Sequence, residues 1–344
     1  MIKHYPTDED IPLPAQGTWP RSLHRFDPLQ AAAAALRAAE ACGRPLLIRG
    51  APGVGKSQTA RAAAAAAGRP FLSVVIDGRT EPHDLMWRFD AVRRLADAQV
   101  RQRYDPPLRS ELAYLVPQAL WWAFNWQGAH DQLALTLRQG DTEDDFKQAD
   151  AEARAAWPCQ PDADWLPAEN RAVLLIDEID KADPDLPNAL LEVLANNGFQ
   201  VPHGPGGARP VVCSDATRPL VVITTNEERD LPNAFLRRCL VLTLELPKDK
   251  DEFCTYLVDL GNRHQQEFAA HWGGRCMVLK AAAERLWAAR DVAPQHGEYQ
   301  PGTAEYLDLV RVLATLWPDE AGEQGEQLLL LDRFTFKKSV RAGG

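Results

Sequence analysis

The chain has 344 residues, more than a single domain usually holds, so we expect two packed units. Hydrophobic residues make up 45% of it and charged residues 25%, which favours a folded protein with a substantial core. The 38 basic and 48 acidic side chains give a formal net charge of −10, so charge alone does not favour a nucleic-acid partner. The six cysteines form no C-x-x-C pair, and no stretch approaches the roughly 18 apolar residues of a membrane span. We therefore expect a cytoplasmic protein with neither a disulfide framework nor a zinc site, and with no membrane contact.

The N-terminal part is predicted to begin with an irregular lead-in and to continue as a strand–helix–strand unit. Over residues 1–27 four prolines interrupt regular structure. An alanine- and leucine-rich helix, an apolar strand, a second helix and a second strand follow over Asp27–Cys42, Pro45–Arg49, Lys56–Ala67 and Phe71–Ile76. Because strand, helix and strand in this order form a right-handed parallel unit, we expect a parallel sheet.

The segment from about 80 to 130 is predicted to be an insert in this unit. It holds a helical stretch, Asp84–Gln102, and a stretch rich in aromatic residues, Tyr114–Trp126. We expect the tryptophans of the second stretch to pack in the core: Trp121, Trp122 and Trp126.

The second half continues the alternation of strands and helices as far as residue 247. The sequence predicts a continuously apolar strand, a helix, a hairpin and two more strands over Ala172–Ile176, Pro184–Asn196, 199–213, Leu220–Thr224 and Leu240–Leu244. After Pro247 only helical patterns remain, which places a domain boundary near 247–250. The region 250–340 is therefore predicted to be all-helical, with helices over Glu252–Ala269, Met277–Ala289, Thr303–Leu316 and Gln327–Phe334.

The strongest chemical signal lies between the first strand and the second helix. The run Gly50-Ala51-Pro52-Gly53-Val54-Gly55-Lys56-Ser57 matches the phosphate-loop pattern G-x-x-x-x-G-K-[ST] in full. The glycines let backbone N–H groups wrap a phosphate, and the helix that follows points its positive end at the same anion. Lys56 offers a charge to the β- and γ-phosphates, and the Ser57 hydroxyl can ligate Mg²⁺. No N-K-x-D motif for reading guanine is present, so we expect ATP rather than GTP.

A second signal is the apolar strand that ends in Asp177 and Glu178. Both carboxylates come at the carboxyl end of a parallel strand, where such sheets bind ligands. Asp177 is expected to hold Mg²⁺ through water, and Glu178 to act as the general base on an attacking water molecule. Kinases of the phosphate-loop class need no adjacent glutamate, so its presence favours water as the acceptor.

Two weaker signals follow along the chain. Asn226 ends the next apolar strand and either positions the attacking water, touches the γ-phosphate or serves only as a turn residue. Arg237 and Arg238 come directly before a buried strand and either form surface ion pairs or reach the γ-phosphate of a neighbouring subunit.

The four signals, in this order, resemble the AAA+ superfamily of ATPases, and within it the MoxR-like branch with its McrB-type relatives. Gly50–Ser57 matches Walker A, Leu174–Glu178 matches Walker B, Asn226 falls at sensor 1, and Leu236–Arg238 falls at the arginine finger. The inserts resemble those of that branch, with Asp84–Asp90 after the second strand and the hairpin Gly198–Asp215 before sensor 1. The resemblance covers about residues 28–315 and implies a Rossmann-like α/β core over 28–247 with inserts at about 80–130 and 198–215. A small helical lid follows over 250–340.

One feature departs from that pattern. The branch usually carries a sensor-2 arginine in a Ser-Pro-Arg-like turn of the lid, whereas the corresponding residues here are Gln300–Glu305, without arginine. Either Arg311 or another lid arginine substitutes, or the lid is weakly coupled to hydrolysis.

The resemblance implies an ATP hydrolase that uses Mg²⁺, assembles as a ring (a hexamer in the family) and remodels a protein client. A separate partner with a von Willebrand A domain is common for this branch. The alternatives are a nucleic-acid motor or defence ATPase, and a slow nucleotide-controlled assembly switch. The first would need a basic stripe, for which the candidates are Arg93, Arg94, Arg101 and Arg103.

Overall fold

The computed structural model of the chain describes residues 5–26, 31–101, 109–159, 171–201, 209–292 and 300–336, without the side chains at 100 and 101. Over these residues the strands are β1 (Ile11–Leu13), β2 (Ser22–His24), β3 (Leu46–Arg49), β4 (Phe71–Val75), β5 (Trp87–Phe89), β6 (Leu115–Pro117), β7 (Val173–Asp177), β8 (Gly198–Val201), β9 (Arg209–Val212), β10 (Leu220–Thr225) and β11 (Leu240–Thr243). The helices are α1 (Ala32–Cys42), α2 (Lys56–Ala67), α3 (Ala91–Arg101), α4 (Ala119–Phe124), α5 (Trp126–Leu137), α6 (Glu143–Ala155), α7 (Asp185–Ala195), α8 (Asn233–Leu236), α9 (Lys250–Trp272), α10 (Leu279–Val292), α11 (Thr303–Leu316) and α12 (Ala321–Thr335).

A five-stranded parallel sheet, in the order β11-β3-β10-β7-β4, confirms the predicted α/β fold. Strand β7 pairs in parallel with β10 on one side and with β4 on the other. Its residues Val173–Ile176 are completely buried, as expected for a strand covered on both faces. The ends of β7 and β10 lie at the same edge, which brings the residues that follow them together.

By its internal contacts the chain divides into two compact units. The first consists of Met1–Tyr5, Ala34–Leu47 and Ala63–Val241, and the second of Pro6–Ala33, Ile48–Ala62 and Leu242–Gly344. The glycine-rich loop therefore belongs to the same unit as the C-terminal helices, while Asp177 and Glu178 belong to the other. The predicted domain boundary near residues 247–250 was drawn between two continuous segments of the chain, and it stays a prediction.

The first unit has a large apolar core in which the predicted tryptophans take part. Trp121, Trp122 and Trp126 are at most 5% exposed and belong to the same cluster as Leu174 and Ile176 of β7. Trp122 and Trp126 meet edge to face with ring centroids 5.1 Å apart. The interpretation of these tryptophans as core residues is confirmed.

The helix predicted over Asp84–Gln102 is wrong in its first part. Residues Pro82–Leu85 form a 3-10 turn, β5 then pairs antiparallel with β6, and α3 begins only at Ala91. The alternation Trp87-Arg88-Phe89 suits a strand, and the pairing with a segment further along the chain outweighs the local helical pattern.

The lead-in, predicted to be irregular, instead contains a two-stranded antiparallel ribbon of β1 and β2. Its residues Ile11, Leu13 and Leu23 are buried, and this burial stabilises the ribbon despite the prolines. Pro12, which has no backbone N–H, is tolerated in β1 because each strand of a two-stranded ribbon has one side without a partner strand.

Most of the remaining predicted elements agree closely with the structure, but the last helix, predicted over Gln327–Phe334, begins at Ala321. Strands β8 and β9 form the predicted antiparallel hairpin, whose tip at 203–207 lies outside the described residues. Helix α9 begins at the cap Asp249, whose carboxylate accepts hydrogen bonds from two backbone N–H groups, and ends at Gly273 in the left-handed conformation. No helix in the described ranges combines the length and the apolar character needed to cross a membrane.

Candidate active site

The phosphate loop joins β3 to α2 in the second unit. Gly50, Gly53 and Gly55 have φ angles of 145°, 76° and 94°, in a region that side chains disfavour. A Cβ at Gly50 would also lie only 2.3 Å from the Leu244 carbonyl oxygen. The φ angles explain why this turn favours glycine at the two positions that the pattern prescribes, Gly50 and Gly55, and also at Gly53.

Lys56, the first residue of α2, folds back over the loop. Its ammonium donates hydrogen bonds to the carbonyl oxygens of Gly50 at 2.6 Å and Ala51 at 2.9 Å, and the residue is 7% exposed. The cation is thus held inside the loop, and Ser57 follows on the first turn of the same helix. A cation inside a loop of glycines, at the positive end of a helix, suits a polyphosphate, and a hydroxyl oxygen suits Mg²⁺.

In the first unit, one hydroxyl connects the two predicted carboxylate residues. Thr224 of β10 donates a hydrogen bond to the carboxylate of Asp177, the last residue of β7. The same oxygen accepts a hydrogen bond from the backbone N–H of Glu178 at 3.0 Å. Thr224 was not predicted as a site residue, although its place at the end of an apolar strand could have indicated it.

Glu178 has a strained backbone and a side chain with two partners. Its φ of 61° and ψ of 46° place a non-glycine residue in the left-handed region, which is uncommon and is often found at functional sites. One carboxylate oxygen is 2.7 Å from the Lys181 ammonium, and the other accepts a hydrogen bond from the Asn226 amide at 3.4 Å. The bond to Glu178 raises the pKa of Lys181. The structure thus brings together the predicted base and the predicted sensor.

Asp180 fixes the loop that carries Asn226, and the sequence analysis missed it. It is 2% exposed, and one of its carboxylate oxygens accepts hydrogen bonds from the backbone N–H groups of Asn226 at 3.1 Å and Glu228 at 3.0 Å. Because both donors belong to the backbone, Asp180 sets the position of Asn226 without competing for its side chain. An acid two residues after Glu178 was the available signal.

The two candidate arginines lie at the C-terminal end of α8, and both are exposed. Arg44 holds their backbone: its guanidinium donates hydrogen bonds to the carbonyl oxygens of Arg237, of Arg238 at 3.1 Å and of Cys239 at 3.4 Å. A cation at the carbonyl end of a helix is electrostatically favourable. No local pattern in the sequence could have indicated Arg44, because its partners lie almost 200 residues away.

In the second unit, the lid turn predicted to carry sensor 2 contacts the phosphate loop without an arginine. The backbone N–H and the hydroxyl of Thr303 both donate hydrogen bonds to the carbonyl oxygen of Gly53. Arg311, the named substitute, is exposed and follows Thr303 by eight residues on α11, about 12 Å along the helix. Arg290 instead binds the turn itself, through the Pro301 carbonyl oxygen at 2.5 Å.

The amino-acid sequence of this chain matches a known protein family. The model of the AAA domain (dynein-related subfamily) matches residues 45–239, more than half of the chain. No curated protein matches this chain. One solved structure with similarity to this chain is that of a protein from Cytophaga hutchinsonii described as a putative ATPase. The two sequences are 13% identical, the match covers 89% of this chain and 79% of that one, and the TM-score is 0.35. A likeness this distant has no bearing on function.

Proposed function

The chain belongs to the dynein-related subfamily of AAA domains, and we propose that it is an ATP hydrolase that works as a ring and remodels a protein partner. The observation that carries the hydrolytic part is the arrangement at the ends of β7 and β10. There the Glu178 carboxylate lies in hydrogen-bond reach of the Asn226 amide and directly follows Asp177. A carboxylate beside an amide is suited to orient water and accept its proton.

We assign the roles as follows. The backbone N–H groups of Gly50–Ser57 and the Lys56 ammonium bind the phosphates of ATP. Ser57 and Asp177 are each assigned as a residue for Mg²⁺, which would neutralise phosphate charge when bound. Glu178 accepts a proton from the attacking water, and Asn226 orients that water.

Exposed residues of the insert support a protein partner over nucleic acid. On α3, Arg94 is paired with Glu111 at 2.8 Å and lies over the ring of Phe89. Two large apolar side chains of the same helix are exposed, Val92 at 81% and Leu95 at 61%. One arginine of the predicted basic stripe is therefore engaged by neighbouring side chains, although 43% of its side chain is exposed, and two large apolar side chains of the same helix face solvent. We take these exposed apolar side chains as support for a protein-binding surface. Of the other candidates, the Arg101 side chain and Arg103 lie outside the described residues.

The finer assignment to the MoxR-like branch is also a proposal. It is supported by the hairpin of β8 and β9, which comes between β7 and β10 in the chain, and by the segment β5–α3–β6 after β4. If this assignment is right, a partner with a von Willebrand A domain is expected to be captured by the tagged protein in the presence of ATP.

A second candidate function, a slow assembly switch, is favoured by one observation. Lys181 occupies an oxygen of Glu178 that the attacking water would need, and both side chains are partly exposed, so a partner could release the pair. A turnover number well below about 1 s⁻¹ in the isolated ring, raised by a partner, would favour the switch.

The proposal of a ring is tested by the mass of the Glu178→Gln protein in solution, with and without ATP and Mg²⁺. This variant should hold ATP without consuming it, so a ring that depends on ATP should persist during the measurement. A shift to a ring-sized assembly supports the proposal. A monomer in both conditions contradicts self-assembly by this chain alone.

Arg238→Ala is expected to bind ATP normally and to lose hydrolysis by at least about 10³-fold, because a trans-acting arginine neutralises charge only in the transition state. ATP affinity, assembly mass and turnover are measured together. The exposed Arg229 gives a matched control, Arg229→Ala, which should keep full activity. Normal hydrolysis by Arg238→Ala would transfer the role to Arg237 or remove it from both residues.

A further inference from the structure

The turn before α11 lies directly against the phosphate loop, within the second unit. We propose that Thr303 is a positioning residue that orients the phosphate loop through the carbonyl group of Gly53. In this chain, the lid would thus act on the loop backbone, where the sensor-2 arginine of related proteins would act on the nucleotide. The proposal rests on the proposed function, since it concerns how Gly50–Ser57 binds ATP.

Two hydrogen bonds from one residue converge on one oxygen atom. The backbone N–H of Thr303 donates to the Gly53 carbonyl at 3.2 Å, and the Thr303 hydroxyl donates to the same oxygen. Thr303 is 8% exposed, so water has little access to compete for these bonds. The orientation of the Gly53 carbonyl is therefore set by the lid.

The lid turn and the loop approach each other backbone to backbone. A Cβ on Gly302 would lie 2.9 Å from the Pro52 carbonyl oxygen and 3.0 Å from the Gly53 Cα, closer than side chains normally come. The φ of Gly302 is −120°, which any residue can adopt, so its backbone conformation does not require glycine. The close approach to the loop is the reason for glycine at this position. Any side chain at this position would push the turn away from the loop.

The turn is itself held in place and can therefore hold the loop. The N–H of Gly302 donates to the carboxylate of Glu305 at 2.9 Å, and Glu305 is 9% exposed. The guanidinium of Arg290 donates to the Pro301 carbonyl oxygen and lies over the ring of Phe253. These contacts fix the turn to α10 and to the start of α11.

Because a peptide group is planar, the orientation of the Gly53 carbonyl also determines the orientation of the N–H group that follows it. The Gly53 carbonyl and the Val54 N–H belong to one planar trans peptide, so they point in opposite directions. When Thr303 holds the carbonyl on the lid side, the Val54 N–H must point away from the lid turn. Val54 is one of the loop residues whose N–H groups we propose for phosphate binding. Thr303 therefore orients the Val54 N–H before ATP binds, and this N–H does not have to be ordered during binding.

The experiment compares Thr303→Val, Thr303→Ser and Thr315→Val in the full chain, by titration with Mg²⁺-ATP and by thermal unfolding. Thr303→Val keeps the shape and the N–H but removes the hydroxyl, and the dissociation constant should rise about five-fold. Thr303→Ser should restore wild-type affinity. Thr315→Val removes a hydroxyl that donates a hydrogen bond within α11, to the Arg311 carbonyl oxygen, and should leave affinity unchanged. Rescue by serine at an unchanged melting temperature would not be expected of a merely structural residue.

Gly302→Ala is the second variant and serves if Thr303→Val does not fold. Because its methyl group would displace the whole turn, we expect at least about ten-fold weaker ATP binding. Wild-type affinity in either variant overturns the proposal. If Lys56→Ala still weakens ATP binding by about 100-fold or more in that case, the proposed function stands and only the role of Thr303 fails. Absence of ATP binding by the wild-type protein would instead remove the proposed function.

Discussion

Glu178→Gln is expected to bind ATP with unchanged affinity and to lose turnover by about 10²- to 10⁴-fold. The amide has the shape of the carboxylate but cannot accept a proton from water. Its oxygen can still accept the hydrogen bond that Asn226 now donates to Glu178, and the backbone bond to Thr224 is unaffected. The loss should therefore appear in kcat and not in the dissociation constant, which separates chemistry from binding.

The matched control for this variant is Glu192→Gln, which makes the same chemical change on the exposed side of α7. Its turnover and stability should equal those of the wild type. Phosphate release under saturating ATP measures the first quantity, and thermal unfolding the second. Turnover of Glu178→Gln within a factor of two of the wild type would remove Glu178 as the base.

Lys56→Ala is expected to weaken ATP binding by about 100-fold or more. A hydrogen bond to a charged group contributes about 1.5–3 kcal/mol, and Lys56 is proposed to serve both the β- and the γ-phosphate. The substitution also removes the bonds that the ammonium donates to the carbonyl oxygens of Gly50 and Ala51, which loosens the loop. Titration with a fluorescent ATP analogue measures the affinity.

Lys147→Ala gives the matched control, since this lysine lies on α6 in an exposed ion pair with Glu143. Exposed pairs contribute little, so both affinity and stability should be unchanged. The melting temperature of Lys56→Ala shows whether the loop change is local. Affinity retained by a folded Lys56→Ala protein would contradict the phosphate-loop assignment.

The two variants together distinguish binding from hydrolysis. Loss of binding in Lys56→Ala with loss of turnover alone in Glu178→Gln is the pattern of a hydrolase in which different residues bind and cleave ATP. The ion pair between Glu178 and Lys181 affects how the turnover of Glu178→Gln is compared with that of the wild type. If Lys181 restrains the base, wild-type turnover is low in isolation, and the comparison must be made with the partner present.

Local signals explain which elements could be predicted closely. Helix α2 has the predicted bounds Lys56–Ala67 because a glycine-rich turn precedes it and alanine favours the helix. Helix α11 has the predicted bounds Thr303–Leu316, where Pro301 and Gly302 precede it and Trp317 ends it. Strands β7 and β10 differ from their predictions by one residue at one or both ends, because continuous apolar runs mark buried strands.

Tertiary pairing explains where the predictions failed. Residues Trp87–Phe89 were predicted as helix and form a strand because β6, more than 20 residues later, offers a partner. The lead-in was predicted to be irregular and contains the ribbon of β1 and β2. In both cases hydrogen bonds between separate segments outweighed the propensity of each segment alone.

The sequence by itself determined which chemistry we propose for this protein. Gly50–Ser57 and the pair Asp177–Glu178 are contiguous, and the chemistry of phosphate binding and proton transfer depends on residue types that can be read directly. Only the tertiary structure decided which residues hold these groups in place. Asp180 reaches Asn226 across 46 residues, Arg44 reaches Arg238 across 194, and Thr303 reaches Gly53 across 250. Hydrogen bonds to backbone atoms do not show in the sequence which partner is bound, since every residue except proline carries the same N–H and C=O groups, so folding alone selects the partners.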